Sequence, residues 1–359
     1  MPRITHIEWQ RIDVELNEPF GIATGAQPLA KNLLVRVRAG GALGLGEAAP
    51  FPAVNGETRD LAERTLAAAQ AELTGLAVDD LEHVAEVTKR VLAAAPSARC
   101  AVETALLDAR LRAERRSMFD YFGGAEAELS TDITLTTGTP EHAEHSAARA
   151  ADGGFTVLKA KIGGVPPHVD VERLTRAARA APGASFILDA NASLSSDEAL
   201  RLLDALGELR QRVLLFEQPT GKYDLAGLAA VRGAGVRVAA DESASSPEDV
   251  ARLVEHGAAD VINIKIMKCG LFDAVRMLDA ARRAGLGLMI GGMVETRLAM
   301  SVSACLAGGR GGFSFFDLDT PLFMKNDPFS GGFAQVGPRL RLDHIREGHG
   351  VSEPAPVLS

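Results

Sequence analysis

The sequence has few cysteines, no surplus of positive charge and no long apolar run. Its three cysteines, Cys100, Cys269 and Cys305, are far apart and form no CxxC or Cys/His pattern. They argue against a disulfide framework and for a reducing, cytoplasmic location. No apolar run approaches the roughly 20 residues that span a bilayer, and the N-terminus has no apolar segment of a secretory signal. We therefore expect neither a membrane span nor secretion.

Several binding functions are also disfavoured by what is missing. The chain has a net charge of −9 and lacks the clustered Lys and Arg that bind a phosphate backbone, so we expect no nucleic-acid partner. No GxGxxG or GxxxxGK[ST] segment is present, which excludes the usual phosphate-binding loops. The 359 residues, 47% of them apolar, are enough for about two folded domains.

The first 125 residues have the pattern of an α+β domain. Segments 3–16 and 32–38 alternate polar and apolar residues as strands do, and 43–47 returns after an Ala-Gly-Gly-Ala turn. Three helical stretches follow. Strands followed by helices predict a separate α+β capping domain, residues 1–125. The predicted helices are 58–74, 79–94 and 98–115.

Residues 126–323 instead alternate short apolar strands with helical stretches. Eight such units predict an α/β fold with a closed (β/α)8 barrel, a modified TIM barrel; an open doubly wound sheet is the alternative. Residues 324–359 break the pattern and are expected to pack back on the capping domain. The predicted strands are 132–137, 155–161, 185–189, 213–217, 236–241, 260–265, 287–291 and 313–317.

Three consecutive predicted strands end in a carboxylate, namely Asp189, Glu217 and Asp241. Active sites of such barrels lie at the C-terminal strand ends, and adjacent strands are about 4.8 Å apart. Singly, each acid could cap a helix or lie in a solvated loop. Together they would repel unless a cation held them, and oxygen ligands favour Mg²⁺, with Mn²⁺ possible.

Lysines lie on either side of these acids, Lys161 before them and Lys265 after them, at intervals of 24 to 28 residues. Lys159 shares the strand face of Lys161 and points into the barrel, where an unpaired lysine is costly. Lys268 is expected to be exposed. A nearby dication would lower the pKa of a lysine, as a general base at neutral pH requires.

This arrangement predicts proton transfer next to a carboxylate. A substrate carboxylate on the metal would have an acidic α-proton, and its loss would give an enediolate that the metal stabilises. One lysine would remove the proton from one face of Cα, and the other would return a proton on the opposite face. Gly291-Gly292 follows the seventh strand, where the missing side chains let a ligand approach.

The spacing Lys-x-Lys, Asp, Glu, Asp, Lys resembles that of the enolase superfamily, muconate-lactonizing subgroup, over nearly the whole chain. The resemblance implies that Lys161 and Lys265 are the acid/base pair and that Lys159 is an electrostatic helper. It implies Mg²⁺ on the three carboxylates. It does not fix the reaction, because cycloisomerases, o-succinylbenzoate synthases, N-acylamino acid racemases and dipeptide epimerases share these residues.

Asp317 and Asp319, at the end of the eighth predicted strand, are similar to a pair that receives the substrate's α-ammonium in dipeptide epimerases. Two carboxylates away from the metal suit a cation, although they could instead cap a helix before Thr320-Pro321. Met-Val-Glu-Thr at 293–296 resembles the same branch, and Thr134 is expected to line the pocket. We therefore expect an Mg²⁺-dependent isomerase that inverts the C-terminal Cα of an L,L-dipeptide and forms a homo-oligomer.

One departure bears on the substrate. Members of this branch that act on Ala-Glu carry an arginine in the first cap loop, whereas residues 19–29 contain no basic residue. An acidic C-terminal residue is therefore disfavoured, and a hydrophobic, small or cationic one is expected. Glu57, in the second cap loop (51–58), would favour a cation.

Two alternatives stay open at this point. The scaffold could be an o-succinylbenzoate synthase, an N-acylamino acid racemase or a cycloisomerase, for which Asp319→Asn would be nearly silent. It could also be a barrel that binds a ligand without catalysing a reaction. This is disfavoured, because the cost of desolvating buried lysines and acids offsets their attraction.

Overall fold

The computed structural model describes residues 2–23 and 25–353. The capping domain begins with an antiparallel sheet of three strands in the order β1-β2-β3. Its β2 buries Leu33, Val35 and Val37 on one face, in the alternation that the sequence shows. The strands are β1 (Ile4–Ile22), β2 (Gly25–Ala39) and β3 (Ala42–Ala48), and the helices are α1 (Pro52–Asn55), α2 (Arg59–Leu73), α3 (Leu81–Val91), α4 (Pro96–Ala113) and α5 (Met118–Tyr121).

Helix α4 lies directly on this sheet. A Cβ at Gly44 would be 1.9 Å from Ala105 O, and one at Gly46 would be 2.0 Å from Ala101 O. The two glycines on β3 therefore allow a backbone-to-backbone contact that no other residue would permit. This contact buries α4 almost completely and makes it the centre of the domain's apolar core.

A short strand, β4 (Glu128–Ser130), leads into a parallel sheet of eight strands that follow each other in chain order. The amide of Asp132 donates to Phe316 O at 2.9 Å, which joins the first and last strands and closes the barrel. The strands are β5 (Ile133–Leu135), β6 (Val157–Lys161), β7 (Ser185–Asp189), β8 (Val213–Glu217), β9 (Val238–Ala240), β10 (Val261–Ile264), β11 (Gly287–Ile290) and β12 (Phe315–Phe316).

Helices on the outside of the barrel connect these strands, and most begin at a side chain that accepts from the first turn, such as Ser195 in a capping box. Two 3-10 turns, Gly207–Arg212 and Thr320–Phe323, supplement them. The helices are α6 (Pro140–Asp152), α7 (Pro167–Ala180), α8 (Ser196–Ala205), α9 (Leu225–Gly233), α10 (Pro247–Glu255), α11 (Ile266–Cys269), α12 (Leu271–Arg283) and α13 (Arg297–Arg310).

The lower interior of the barrel is a packed apolar layer. It includes Ile187, Leu215, Ala239 and Phe315, each two residues before a chemically functional residue that ends the same strand or follows it directly. Because side chains two apart share a strand face, the residues at the strand ends lie in the next layer, at the open end of the barrel.

The last segment returns to the capping domain. Buried Asp108, on α4, accepts hydrogen bonds from Leu45 N at 3.0 Å and from His349 N at 3.0 Å. Met324 forms an isolated bridge with Leu16. The remaining strands are β13 (Ser330–Gly331), β14 (Ala334–Val336), β15 (Arg339–Arg341), which pairs with β4, and β16 (Val351–Ser352).

The predicted fold class is confirmed: an eight-stranded α/β barrel with an N-terminal α+β domain. The element ends differ. Strand β1 extends to Ile22 and pairs with β2 through Ile22↔Gly25, so the predicted first cap loop is the tip of a hairpin. Six of the eight barrel strands are shorter than predicted, at their first residues, their last residues or both, whereas β7 and β8 have the predicted bounds. The domain limits 1–125, 126–323 and 324–359 stay predictions, and residues 354–359 lie outside the described part. None of the described helices is long and apolar enough to cross a membrane.

Candidate active site

The strand-end residues meet at the open end of the barrel because the strands are in register. Lys161 is level with Asp189, and Asp189 is level with Glu217. Asp241 and Lys265 follow directly after β9 and β10. All five side chains are buried, with at most 4% of any residue exposed. The structure therefore brings the three predicted metal ligands and the two predicted acid/bases into one buried cluster.

Charges alternate within this cluster. Lys161 Nζ donates to Asp189 Oδ2 at 2.6 Å, and Lys265 Nζ donates to Asp241 Oδ2 at 2.7 Å. Lys159 Nζ lies 3.1 Å from Asp189 Oδ2, 2.8 Å from a Glu217 oxygen and 2.6 Å from Asp317 Oδ2. The three ammonium groups thus lie among the carboxylates and offset their mutual repulsion.

The pKa values follow from burial and from these pairs. Burial raises the pKa of Glu217 to about 7, and the charge of Asp189 adds to the shift. Burial alone would raise the pKa of Asp189 too, but Lys161 lowers it below its usual range. Burial alone would lower the pKa of Lys265, yet the Asp241 carboxylate raises it. These pKa shifts come from burial and from the protein's own charges. A dication among the acids would oppose the rise in the pKa of Lys265.

The donor set fits the predicted cation. Asp189, Glu217 and Asp241 come from neighbouring strands and offer only carboxylate oxygens, the ligands that Mg²⁺ prefers. A different set of three acids is packed more tightly. Among the described residues, oxygens of Asp132, Asp317 and Asp319 lie within 4.8 Å of one another. Lysine ammonium groups contact all three acids of the first set, whereas in the second set only Asp317 has such a contact among the described residues.

The pocket above the cluster has one polar and one apolar wall. Thr134, Lys161, Lys265 and Asp317 line it from the barrel, and Thr134 is 4% exposed. Asp319 does not line the pocket, and its Oδ2 accepts a hydrogen bond from Thr134 N at 2.6 Å. The apolar wall comes mainly from the capping domain and consists of Phe20, Ile22, Phe51 and Val54.

Two predictions about single residues are wrong. Lys268 is 7% exposed rather than solvated, because the one-turn helix α11 folds its side chain back under Asp241. Its Nζ donates to Asp241 Oδ1 at 2.6 Å. Glu57 is 3% exposed and is not among the residues that line the pocket, because it accepts hydrogen bonds from Ser97 Oγ at 2.6 Å and from Ser97 N at the start of α4.

Glycine at the end of β11 makes room for one lysine. A Cβ at Gly291 would be 3.1 Å from Lys265 Cε and 2.9 Å from Asn263 Oδ1. Gly292 lines the pocket itself. Both positions agree with the predicted close approach at this strand end.

Sequence reasoning missed several polar residues of the site. Asn263 Nδ2 donates to Glu217 Oε1 at 2.9 Å. Asp132 lies beside β12, where its amide donates to Phe316 O. Each is two residues before a predicted site residue, so strand alternation could have found both. Gln218 Oε1 accepts from Asp241 N at 2.9 Å and from Ser243 N, and its φ is 35°. Such a backbone conformation is costly for a non-glycine residue and common at functional sites.

Comparisons with known proteins agree with this geometry. Residues 6–123 match the family "Mandelate racemase / muconate lactonizing enzyme, N-terminal domain", and residues 142–353 match "Enolase C-terminal domain-like". The chain belongs to the mandelate racemase/muconate lactonizing enzyme family. Two domain matches that together span most of the chain confirm the resemblance to the enolase superfamily.

Relatives within this family are similar along their whole length. An aromatic dipeptide epimerase of Herpetosiphon aurantiacus is 46% identical over 351 residues, covering 97% of this chain and 98% of that protein. A crystal structure of a family member from Sorangium cellulosum is 49% identical, with a TM-score of 0.93 and coverage of 98% and 99%. A dipeptide epimerase of Enterococcus faecalis, crystallised with Mg and L-Leu-L-Tyr, is 30% identical, with a TM-score of 0.93 and coverage of 98% and 100%.

Proposed function

We propose that the protein is an Mg²⁺-dependent dipeptide epimerase, an isomerase that inverts the Cα of the C-terminal residue of an L,L-dipeptide. The observation that carries this proposal is the pair Lys161 and Lys265, which line one pocket from opposite sides of three acid-bearing strands. Names and bound ligands of the relatives support the same reaction. A synthase, N-acylamino acid racemase or cycloisomerase is not favoured.

The two lysines would move the proton. One would take the α-proton from one face of Cα, and the other would deliver a proton to the opposite face, so that repeated turnover equilibrates the two epimers. Mg²⁺ bound by Asp189, Glu217 and Asp241 would stabilise the negative charge that develops on the substrate carboxylate. Burial excludes water from both lysines, which strengthens these electrostatic effects.

The other end of the substrate would meet Asp317, supported by Asp319. Asp317 is 6% exposed and lines the pocket away from the proposed metal ligands. Its Oδ2 is held by Lys159 at 2.6 Å, which fixes the carboxylate's orientation. A carboxylate in this place recognises the α-ammonium of a dipeptide and would not recognise an N-acyl group.

An apolar residue is the best fit for the C-terminal side chain. The cap wall of Phe20, Ile22, Phe51 and Val54 offers no charge. Segment 19–29 contains no basic residue for an acidic side chain, and Glu57 is engaged by Ser97 and so offers nothing to a cation. The substrate we propose therefore ends in a hydrophobic residue, with aromatic rings included.

The reaction is tested with a library of L,L-dipeptides in D₂O with Mg²⁺, followed by mass spectrometry. We expect a gain of one mass unit at the C-terminal Cα for dipeptides such as L-Ala-L-Phe and L-Ala-L-Leu. If no dipeptide in the library exchanges its α-proton, the proposed function is wrong.

Two variants of one residue test the substrate class. Val54 is half-buried at the pocket wall, so Val54→Lys should raise the rate for L-Ala-L-Glu relative to L-Ala-L-Phe, and Val54→Glu should do so for L-Ala-L-Lys. Val336→Ala, at an 81% exposed residue far from the pocket, is the control. Equal effects of both Val54 variants on acidic and basic dipeptides would contradict the assignment of this wall.

We also propose that the protein is cytoplasmic and homo-oligomeric. Its three cysteines are buried and free, which suits a reducing compartment. Light scattering coupled to gel filtration tests the oligomer, and a monomeric mass would contradict it.

A further inference from the structure

Asp132 is a buried acid that the proposed mechanism does not use. Its backbone amide fixes it beside β12 through the bond to Phe316 O. The residue is 2% exposed, and neither side-chain oxygen has a hydrogen-bond partner among the described residues. Leaving a buried polar group without a hydrogen-bond partner is unfavourable, and more so if the group is charged, so this acid destabilises the fold.

Its neighbours make the arrangement more costly. Oxygens of Asp132, Asp317 and Asp319 lie within 4.8 Å of one another, and Asp319 Oδ1 likewise has no hydrogen-bond partner within residues 2–23 and 25–353. Lys159 donates to Asp317 but is shared with Asp189 and Glu217. Three acids therefore share the one ammonium group of Lys159, which also contacts Asp189 and Glu217. Among the described residues, acids thus outnumber ammonium groups at this corner of the barrel.

We propose that Asp132 supports, from behind Asp317 and Asp319, a site for a cation and that the cation is the substrate's terminal ammonium. The inference rests on the proposed function, which assigns the ammonium to the other two acids. Asp317 lines the pocket, whereas Asp132 and Asp319 do not. Asp132 is therefore a positioning residue, whose charge acts on the ammonium through Asp317 and Asp319. An inorganic cation is the other source of the same charge.

The test is Asp132→Asn, which keeps the shape and removes the charge. We expect KM for a free-amine dipeptide to rise roughly tenfold or more, with kcat changed less than twofold. The inhibition constant of the same dipeptide without its amino group should stay within twofold of the wild-type value. The melting temperature without ligand should stay the same or rise, because a buried acid without a hydrogen-bond partner among the described residues is removed.

A purely structural role would give a different result. The melting temperature would fall, and both ligands would bind more weakly by the same factor, which would overturn the inference. Asp273→Asn is the matched control: this acid is 2% exposed and is held by Arg99 at 2.8 Å, so its loss should lower the melting temperature and leave the ratio of the two ligands unchanged. If Asp132→Asn does not fold, Asp132→Ser is measured in the same way.

Two further outcomes are decisive. The first concerns Na⁺, K⁺ or Mg²⁺, which could stabilise the dipeptide-free wild type but not Asp132→Asn. If so, and if the ratio of the affinities for the dipeptides with and without the amino group is the same in both proteins, the cation is inorganic and the inference is wrong. If the wild type exchanges no dipeptide α-proton, the proposed function and this inference fail together. If the wild type is active and Asp132→Asn keeps the ligand ratio, this inference alone fails.

Discussion

Lys268→Met removes an ammonium group whose hydrogen bonds all end on buried acceptors. Nζ donates to Asp241 O and Oδ1, each at 2.6 Å, and to Asn263 O at 3.1 Å. Methionine keeps most of the side-chain volume but leaves two carbonyls and one carboxylate oxygen without this donor. Because removing one partner of a buried ion pair costs about 3–5 kcal/mol, we expect the free energy of unfolding to fall by about that amount.

The same variant should bind Mg²⁺ more weakly. Among the described residues, the Asp241 carboxylate would keep only the bond from Lys265 at 2.7 Å. It would be less well oriented, and a loss of about tenfold in affinity for Mg²⁺ is expected. Guanidinium unfolding followed by circular dichroism measures the stability, and calorimetric titration measures the metal. Lys325→Met, which breaks only an exposed pair with Glu15 at 3.0 Å, is the control and should cost less than about 1 kcal/mol. If Lys268→Met costs no more than this control and binds Mg²⁺ like the wild type, the structural argument is refuted.

Three further predictions concern the proton, the metal and the pH. Lys161→Ala and Lys265→Ala should each abolish epimerisation and retain D₂O exchange from one stereoisomer only, as seen by NMR; full turnover by either contradicts two bases. Mg²⁺ at 100 times its Kd should raise the free energy of unfolding of EDTA-treated protein by about 2.7 kcal/mol, and Asp189→Asn should reduce this gain. Burial raises the pKa of Glu295 to about 8 from 4.5, against a hydrogen bond from Met293 N–H that lowers it. Ionising the buried Glu295 therefore lowers the free energy of unfolding: this penalty is absent below pH 4.5, grows with pH and is complete above about pH 8. Glu295→Gln should therefore gain stability over the wild type by about 1.4 kcal/mol per pH unit in this range, and a pH-independent difference in urea titrations would contradict this.

The position of the site could be predicted because it depends on short-range patterns. An apolar run that ends in a charged residue marks a strand end, and a closed parallel barrel brings all such ends to one side. Lys161 and Asp189 are thus level because both close a strand. No long-range information was needed for this part.

Contacts that depend on the closed fold could not be read from the chain. Thr134 N and Asp319 Oδ2 are 185 residues apart and meet only because the first strand lies beside the last. Glu57 meets Ser97 because α4 begins under the second cap loop, 40 residues later. Lys268 is buried because a one-turn helix, too short to leave a periodic pattern, turns its side chain inward.

The bond between Asp108 and His349 has a consequence for how the protein is made. The acid lies on α4 at the centre of the capping domain, yet this partner is synthesised 241 residues later. Before residue 349 is made, the Asp108 carboxylate is paired with Arg112 of the same helix at 2.7 Å but lacks the hydrogen bond from the His349 amide. The capping domain therefore gains this contact only after the segment that carries His349 has been synthesised, so a chain that stops before residue 349 would fold into a less stable capping domain.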